Sequence, residues 1–114
     1  MSRHVIHHDG WFFEWSTTVD APFGYGSRRE DFVREHVAKH GESSRAKVER
    51  DLDRAMATGT SAEGAEQSAE RMVGRANSAG YDETHLPLAE IVRIYCVERR
   101  DPRKGEGEVA TRAA

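Results

Sequence analysis

The sequence predicts an α+β domain, an N-terminal β-hairpin packed on three or four α-helices and followed by a disordered C-terminal tail. Three observations carry the prediction. Residues 4–15 read His-Val-Ile-His-His-Asp-Gly-Trp-Phe-Phe-Glu-Trp, two β-rich runs joined by Asp9-Gly10, a pair that favours the type I′ turn of a tight hairpin. From Ser27 onward apolar residues recur three and four apart, the helical period. From Asp101 the chain turns to Pro, Gly, charge and Ala. A chain of 114 residues is one domain by length. The expected division is a single domain over 1–100 and a tail over 101–114.

Pairing across Asp9-Gly10 sets His8 opposite Trp11, His7 opposite Phe12, Ile6 opposite Phe13, Val5 opposite Glu14 and His4 opposite Trp15. Side chains alternate between faces. One face therefore carries His4, Ile6, His8, Trp11, Phe13 and Trp15, and the other Val5, His7, Phe12 and Glu14. The first face is the better candidate to lie on the helices. Three of the next four residues, Ser16 to Val19, are β-branched, so the strand is expected to continue. Asp20, Pro22, Gly24 and Gly26 mark a loop.

Ser27 with Glu30 forms a capping box that opens the first helix. Phe32, Val33 and Val37 make its apolar stripe, and Gly41 stops it. A second helix starts near Ser43 or Ser44, uses Val48, Leu52, Ala55 and Met56, and ends around Gly59. Thr60 with Glu63 opens a third, running to about Ala79 on a stripe of Ala62, Ala65, Ala69, Met72, Val73 and Ala76. A fourth begins near Pro87, a residue suited to a first helical turn. Its Leu88, Ile91, Val92, Tyr95 and Cys96 repeat at helical spacing.

Composition narrows the function classes. Leu, Ile, Val and Phe number 19, about 17% of the chain, so the core is thin. A thin core makes self-association or partner binding a second source of stability. The net charge of −3 gives no general attraction to nucleic acid or anionic membrane. The single cysteine, Cys96, forms no internal disulfide and fits a reducing cytoplasm. No run approaches the roughly 18 apolar residues of a membrane span, and no apolar leader is present.

Several constellations are candidates for chemistry. His36 and His40 sit one turn apart, a spacing able to chelate one metal ion, with His4, His7, His8 or Asp9 as possible completing ligands. Two histidines alone do not define a metal site, and no HExxH pattern is present. Gly24-Tyr25-Gly26-Ser27 opens into a helix with Arg28 and Arg29 in its first turn, a place where backbone amides and guanidinium groups can hold a phosphate. The plainer alternative is a loop followed by an ordinary cap. Arg93, Arg99, Arg100, Arg103 and Lys104 make the end of the fourth helix basic. That suits its dipole, and as a function it points to nucleic acid. The acidic start of the third helix, with Glu63, Glu66 and Glu70, suits DNA recognition poorly. Trp11, Phe13 and Trp15 are either core or an aromatic anchor for a protein partner. Cys96 with His85 makes a dyad by residue type only.

The segment from Ser2 to Ser16, the Asp20-Ala-Pro22 loop and the run from Tyr25 to Phe32 resemble small proteins encoded by bacteriophages of actinobacteria. Gly59-Thr-Ser-Ala62 and Ile94-Tyr-Cys96 are similar as well. The resemblance covers about the first third of the chain. It implies a phage origin, consistent with 14 arginines against 3 lysines and with 14 alanines. It implies no assigned activity and transfers no catalytic residue.

The expectation is a non-enzymatic accessory protein in the host cytoplasm, without cofactor. It would bind a host or phage protein through Trp11, Phe13 and Trp15, with homo-oligomer formation as a further partner mode and no membrane contact. The alternative is a nucleic-acid-binding protein using Arg99, Arg100, Arg103 and Lys104. The third reading is a small metal-binding enzyme built on His36 and His40.

Overall fold

The computed structural model describes residues 3–17, 19–61, 69, 73, 77–80 and 85–102. Strands β1 (Arg3–His8) and β2 (Trp11–Ser16) pair antiparallel, from His8 opposite Trp11 to His4 opposite Trp15, as the sequence predicts. Asp9 has φ 52° and Gly10 φ 82°, the pair of left-handed residues that a type I′ turn requires. The strand does not continue to Val19. It ends at Ser16, the chain reverses through Asp20 at φ 53°, and β3 (Ala21–Pro22) pairs back on β2. Turn chemistry at Asp20-Ala21-Pro22 outweighs the β-branched preference before it, and Pro22 is tolerated because β3 is an edge strand.

Both faces of the sheet are buried. Ile6, Phe13 and Trp15 pack on one face against Ala69, Val73, Ala79, Leu88, Ile91, Val92, Ile94, Tyr95 and Cys96. Val5 and Phe12 pack on the other against Phe32, Val33, Val48, Leu52 and Ala55. The α+β fold is therefore layered, with the hairpin between two helical layers. Apolar residues on both hairpin faces make this arrangement possible. The hairpin's apolar side chains are thereby divided between two cores.

Helix α1 (Arg29–His40) starts after Arg28, and the expected capping box is not made. Ser27 is instead locked to β2 by reciprocal backbone bonds with Phe12, each 2.9 Å long. This long-range pairing takes Ser27 out of the cap position. Gly41 ends α1, donating its N–H to the Val37 carbonyl. A 3-10 turn (Glu42–Ser44) leads into α2 (Arg45–Thr58), which buries Val48, Leu52 and Ala55 and ends at Gly59 with φ 96°. Met56 is 55% exposed and is not part of the core stripe. One residue beyond Ala55, it is rotated about 100° off the buried line.

After α2 the chain covers the outer edge of β1. His7 donates to the Gly59 carbonyl at 2.9 Å, Ser61 donates to the Val5 carbonyl at 2.8 Å, and Thr60 is fully buried. Most of the expected third helix lies outside the described residues; of it, Ala69 and Val73 are helical and buried. Asn77 ties the following turn to the next segment, its side chain bonding the Val73 and Leu86 carbonyls and the Ala79 amide.

The expected fourth helix is α3 (Leu88–Val92), which continues as a π-helical turn (Arg93–Val97). Three consecutive residues, Ile94, Tyr95 and Cys96, are buried there, and the wider turn aims them more nearly in one direction. Glu98 donates to the Arg93 carbonyl at 2.9 Å, and Arg99 turns left-handed at φ 51°. Burial reaches two residues past the expected boundary at residue 100. Asp101 and Pro102 are buried, and Asp101 lies 3.4 Å from the Tyr95 hydroxyl, which donates to the Ala79 carbonyl. The remainder of the expected tail, 103–114, lies outside the described residues.

Candidate functional site: a mixed-charge cleft

Phe13 and Trp15 have no solvent exposure. They are core residues, so the expected aromatic anchor of Trp11, Phe13 and Trp15 does not exist as a surface. Alternation puts all three on the face that receives α3, and the thin core needs them there. Trp11 is half-buried, and the Arg28 guanidinium covers its ring at 3.9 Å while donating to the Asp9 carbonyl.

The phosphate-loop expectation also fails. The Gly26 amide donates to the Tyr95 carbonyl at 3.1 Å, and the Ser27 amide to Phe12. Arg28 is committed to Trp11, and Arg29 pairs with Asp53 at 2.9 Å. The Gly26 and Ser27 amides and both guanidinium groups thus serve the fold.

The basic end of α3 is neutralised locally. Arg93 pairs with Glu90 and Glu98, and Arg100 pairs with Glu98 at 2.7 Å. These carboxylates work against the nucleic-acid reading of that surface. Arg103 and Lys104 lie outside the described residues. Arg99 points elsewhere: it donates to the Gly26 carbonyl at 3.0 Å and sits 3.7 Å from the Glu35 carboxylate and 5.7 Å from the Tyr25 ring centre.

His36 and His40 do face each other, with ring centres 4.5 Å apart. Among the described residues, however, no group of three His, Cys, Asp or Glu side chains converges to hold a metal ion. The hairpin does not complete a site. His7 leans on the Phe12 ring, and its Nε2 accepts the Gly10 N–H at 3.1 Å. Cys96 is a buried free thiol. Burial pushes its thiol up to about 12, outweighing the nearby Arg99 and Arg28 guanidinium groups, so it stays protonated.

What the fold does assemble is a cleft of about 360 Å³ between the loop after β3 and the outer half of α1. β1 supplies Arg3 and β2 supplies Glu14. The loop supplies Phe23 and Tyr25, α1 supplies Glu35, His36, Lys39 and His40, and the end of α3 supplies Arg99. The loop is tied down at both ends. Phe23 donates to the Glu14 carbonyl at 2.8 Å, and Gly26 is buried against Phe13 and Cys96. Phe23 and Tyr25 between these anchors stay 43% and 42% exposed. Arg3 lies 3.5 Å over the Phe23 ring, a cation–π contact. The His36 imidazole is held below its ordinary value, chiefly by burial and then by His40, with Glu14 opposing. No protein-family model, curated protein or solved structure matches this chain. The functional reading therefore rests on the cleft itself. Among the described residues no helix is long and apolar enough to cross a membrane.

Such a cleft is equipped to bind. It offers two exposed rings, cations from three elements, and two carboxylates. In the sequence its histidines and Arg99 point to other chemistries, and no motif there singles out Phe23 or Lys39. A signal for the rings was present: Phe23 and Tyr25 alternate with Gly24 and Gly26 in a Pro-led loop, where large aromatics have little local core to enter.

Proposed function

We propose that this is a non-enzymatic accessory protein that binds another protein through the cleft. The observation that carries the reading is the exposed pair Phe23 and Tyr25, set beside Arg3 and Arg99 in one concavity. Exposed aromatic and arginine side chains clustered together are the composition of an interface anchor. The resemblance to small proteins of actinobacterial phages supports action in the host cytoplasm on a host or phage component. Capture from actinobacterial lysate tests the reading, with the intact chain and a Phe23→Ala/Tyr25→Ala variant compared after nuclease treatment. A retained protein that is lost with the variant is the expected result. Recovery that disappears with nuclease points to nucleic acid instead, and capture unaffected by the variant removes the cleft.

A further inference from the structure

We infer that the cleft takes an acidic protein segment, a stretch in which carboxylate side chains neighbour an apolar or aromatic one. This rests on the binding-protein reading above and adds the chemistry of the partner.

The first ground is charge left over after the fold has used what it needs. Across the described surface, cations are mostly matched by carboxylates: Arg29 by Asp53, Arg34 by Asp31, Arg45 by Glu42, Lys47 by Asp51, Arg93 by Glu90 and Arg100 by Glu98. Arg3, Arg28, Lys39 and Arg50 have no carboxylate partner among the described residues; Arg28 is taken up by Trp11 and the Asp9 carbonyl, and of the other three Arg3 and Lys39 line this cleft. Arg99, the third cation, bonds a carbonyl and lies 3.7 Å from Glu35. Against the three cations stand two carboxylates, Glu14 and Glu35. The cleft is thus a cationic spot on a chain of net charge −3.

The second ground is where those cations come from. Lys39 and His40 in the last turn of α1 complement its dipole and need no ligand to explain them. That account does not cover Arg3, which comes from β1, or Arg99, which comes from beyond the π-helical turn. Arg99 follows the π-helical turn and is left-handed at φ 51°, the usual way a helix ends, with the Arg100 amide donating to the Ile94 carbonyl; its side chain lines the cleft.

The third ground chooses the partner's class. A nucleic acid brings a phosphate charge every few ångströms, which would press against Glu14, Glu35 and the C-terminal carbonyls of α1. A short acidic segment can place one or two carboxylates at Arg3, Lys39 and Arg99 and leave the two glutamates untouched. The exposed faces of Phe23 and Tyr25 then receive the neighbouring apolar side chain.

The test follows the imidazole signals of the full chain by NMR. The probe is a terminally blocked hexapeptide of mixed Glu and Phe. Two comparison probes are the same peptide with Gln for Glu and an oligothymidylate of equal length. The acidic peptide should move His36 and His40 and leave His85 fixed. The Gln version should bind at least tenfold more weakly. Lys39→Ala, at an exposed position, should weaken the acidic peptide about tenfold with an unchanged circular dichroism spectrum. The inference is overturned if the Gln peptide binds equally, if the oligonucleotide binds more tightly, or if His36 and His40 do not move at millimolar acidic peptide. If they stay unmoved while lysate capture remains sensitive to Phe23→Ala/Tyr25→Ala, the binding-protein reading stands and only the partner's charge is wrong.

Discussion

Gly26 shows how much a single atom decides in this molecule. A Cβ at this position would fall inside contact distance of Cys96 Sγ and the Phe12 carbonyl oxygen, and 2.9 Å from Phe13 Cβ. The backbone carbonyl cannot retreat without breaking the Ser27–Phe12 pairing. Gly26→Ala should therefore destabilise the fold by about 3 kcal/mol, read as a lower urea midpoint. From sequence, Gly26 belongs with Gly24 in a phosphate-binding loop. Its real reason, close approach of three elements, involves residues up to 70 positions away and leaves no local trace. Cys96, on the other side of that contact, gives a second prediction at this scale. With its thiol held near 12, native protein should react with an aromatic disulfide reagent at pH 8 far more slowly than urea-unfolded protein. Rapid stoichiometric labelling of the native chain would show the thiol to be open.

Among the elements, the turn and register of the hairpin were legible because their information is local, while the end of β2 was not, since the reversal at Asp20 outweighs the β-branched run before it. Asp9-Gly10 sets the turn, the turn sets the register, and the register sets the faces. The start of α1 was misread because Ser27 has two possible partners, and the distant one prevails. The π-helical turn was invisible, since Leu88 to Cys96 fits an ordinary helix in period and departs from it only to bury Ile94 as well. Burial also separates two kinds of aromatic that the sequence treats alike. Trp15→Ala, on β2, should cost about 4 kcal/mol by opening a cavity in one core. Phe23→Ala/Tyr25→Ala, on the exposed loop, should shift stability by no more than about 1 kcal/mol. Thermal melts of both variants give the comparison, and equal losses would mean the loop aromatics are structural.

For the whole molecule, the α+β class was readable and the layering was not. Predicting helices on one hairpin face followed from the richer of two apolar sets, yet Val5 and Phe12 recruit a second layer of their own. The cleft was illegible for a related reason: its residues come from separate elements, each contributing a few side chains, and only packing brings them together. A pH dependence belongs at this scale too. His7 and His36 are both held below the ordinary imidazole range, by burial first and then by the neighbouring His8 and His40. The folded chain therefore binds fewer protons than the unfolded chain near pH 6.5, and stability rises with pH through that region. Their contribution is fully present above about 6.5 and is lost as pH falls below it. The urea midpoint should drop between pH 7.5 and 5.5, and His7→Gln or His36→Gln should flatten the slope. A midpoint that rises on acidification would contradict this account.

Placing the hairpin in the middle of the molecule has a consequence for how the chain is made. Residues 3–16 leave the ribosome early, and α1 and α2 can cover one of their faces as soon as they follow. The other face, with Ile6, Phe13 and Trp15, waits for Leu88 to Cys96. Between the emergence of α2 and that of Leu88 to Cys96, the nascent chain carries a finished half-core beside an open aromatic one. Newly made chains are thus most prone to stick to one another, or to need a chaperone, just before Leu88 to Cys96 arrive.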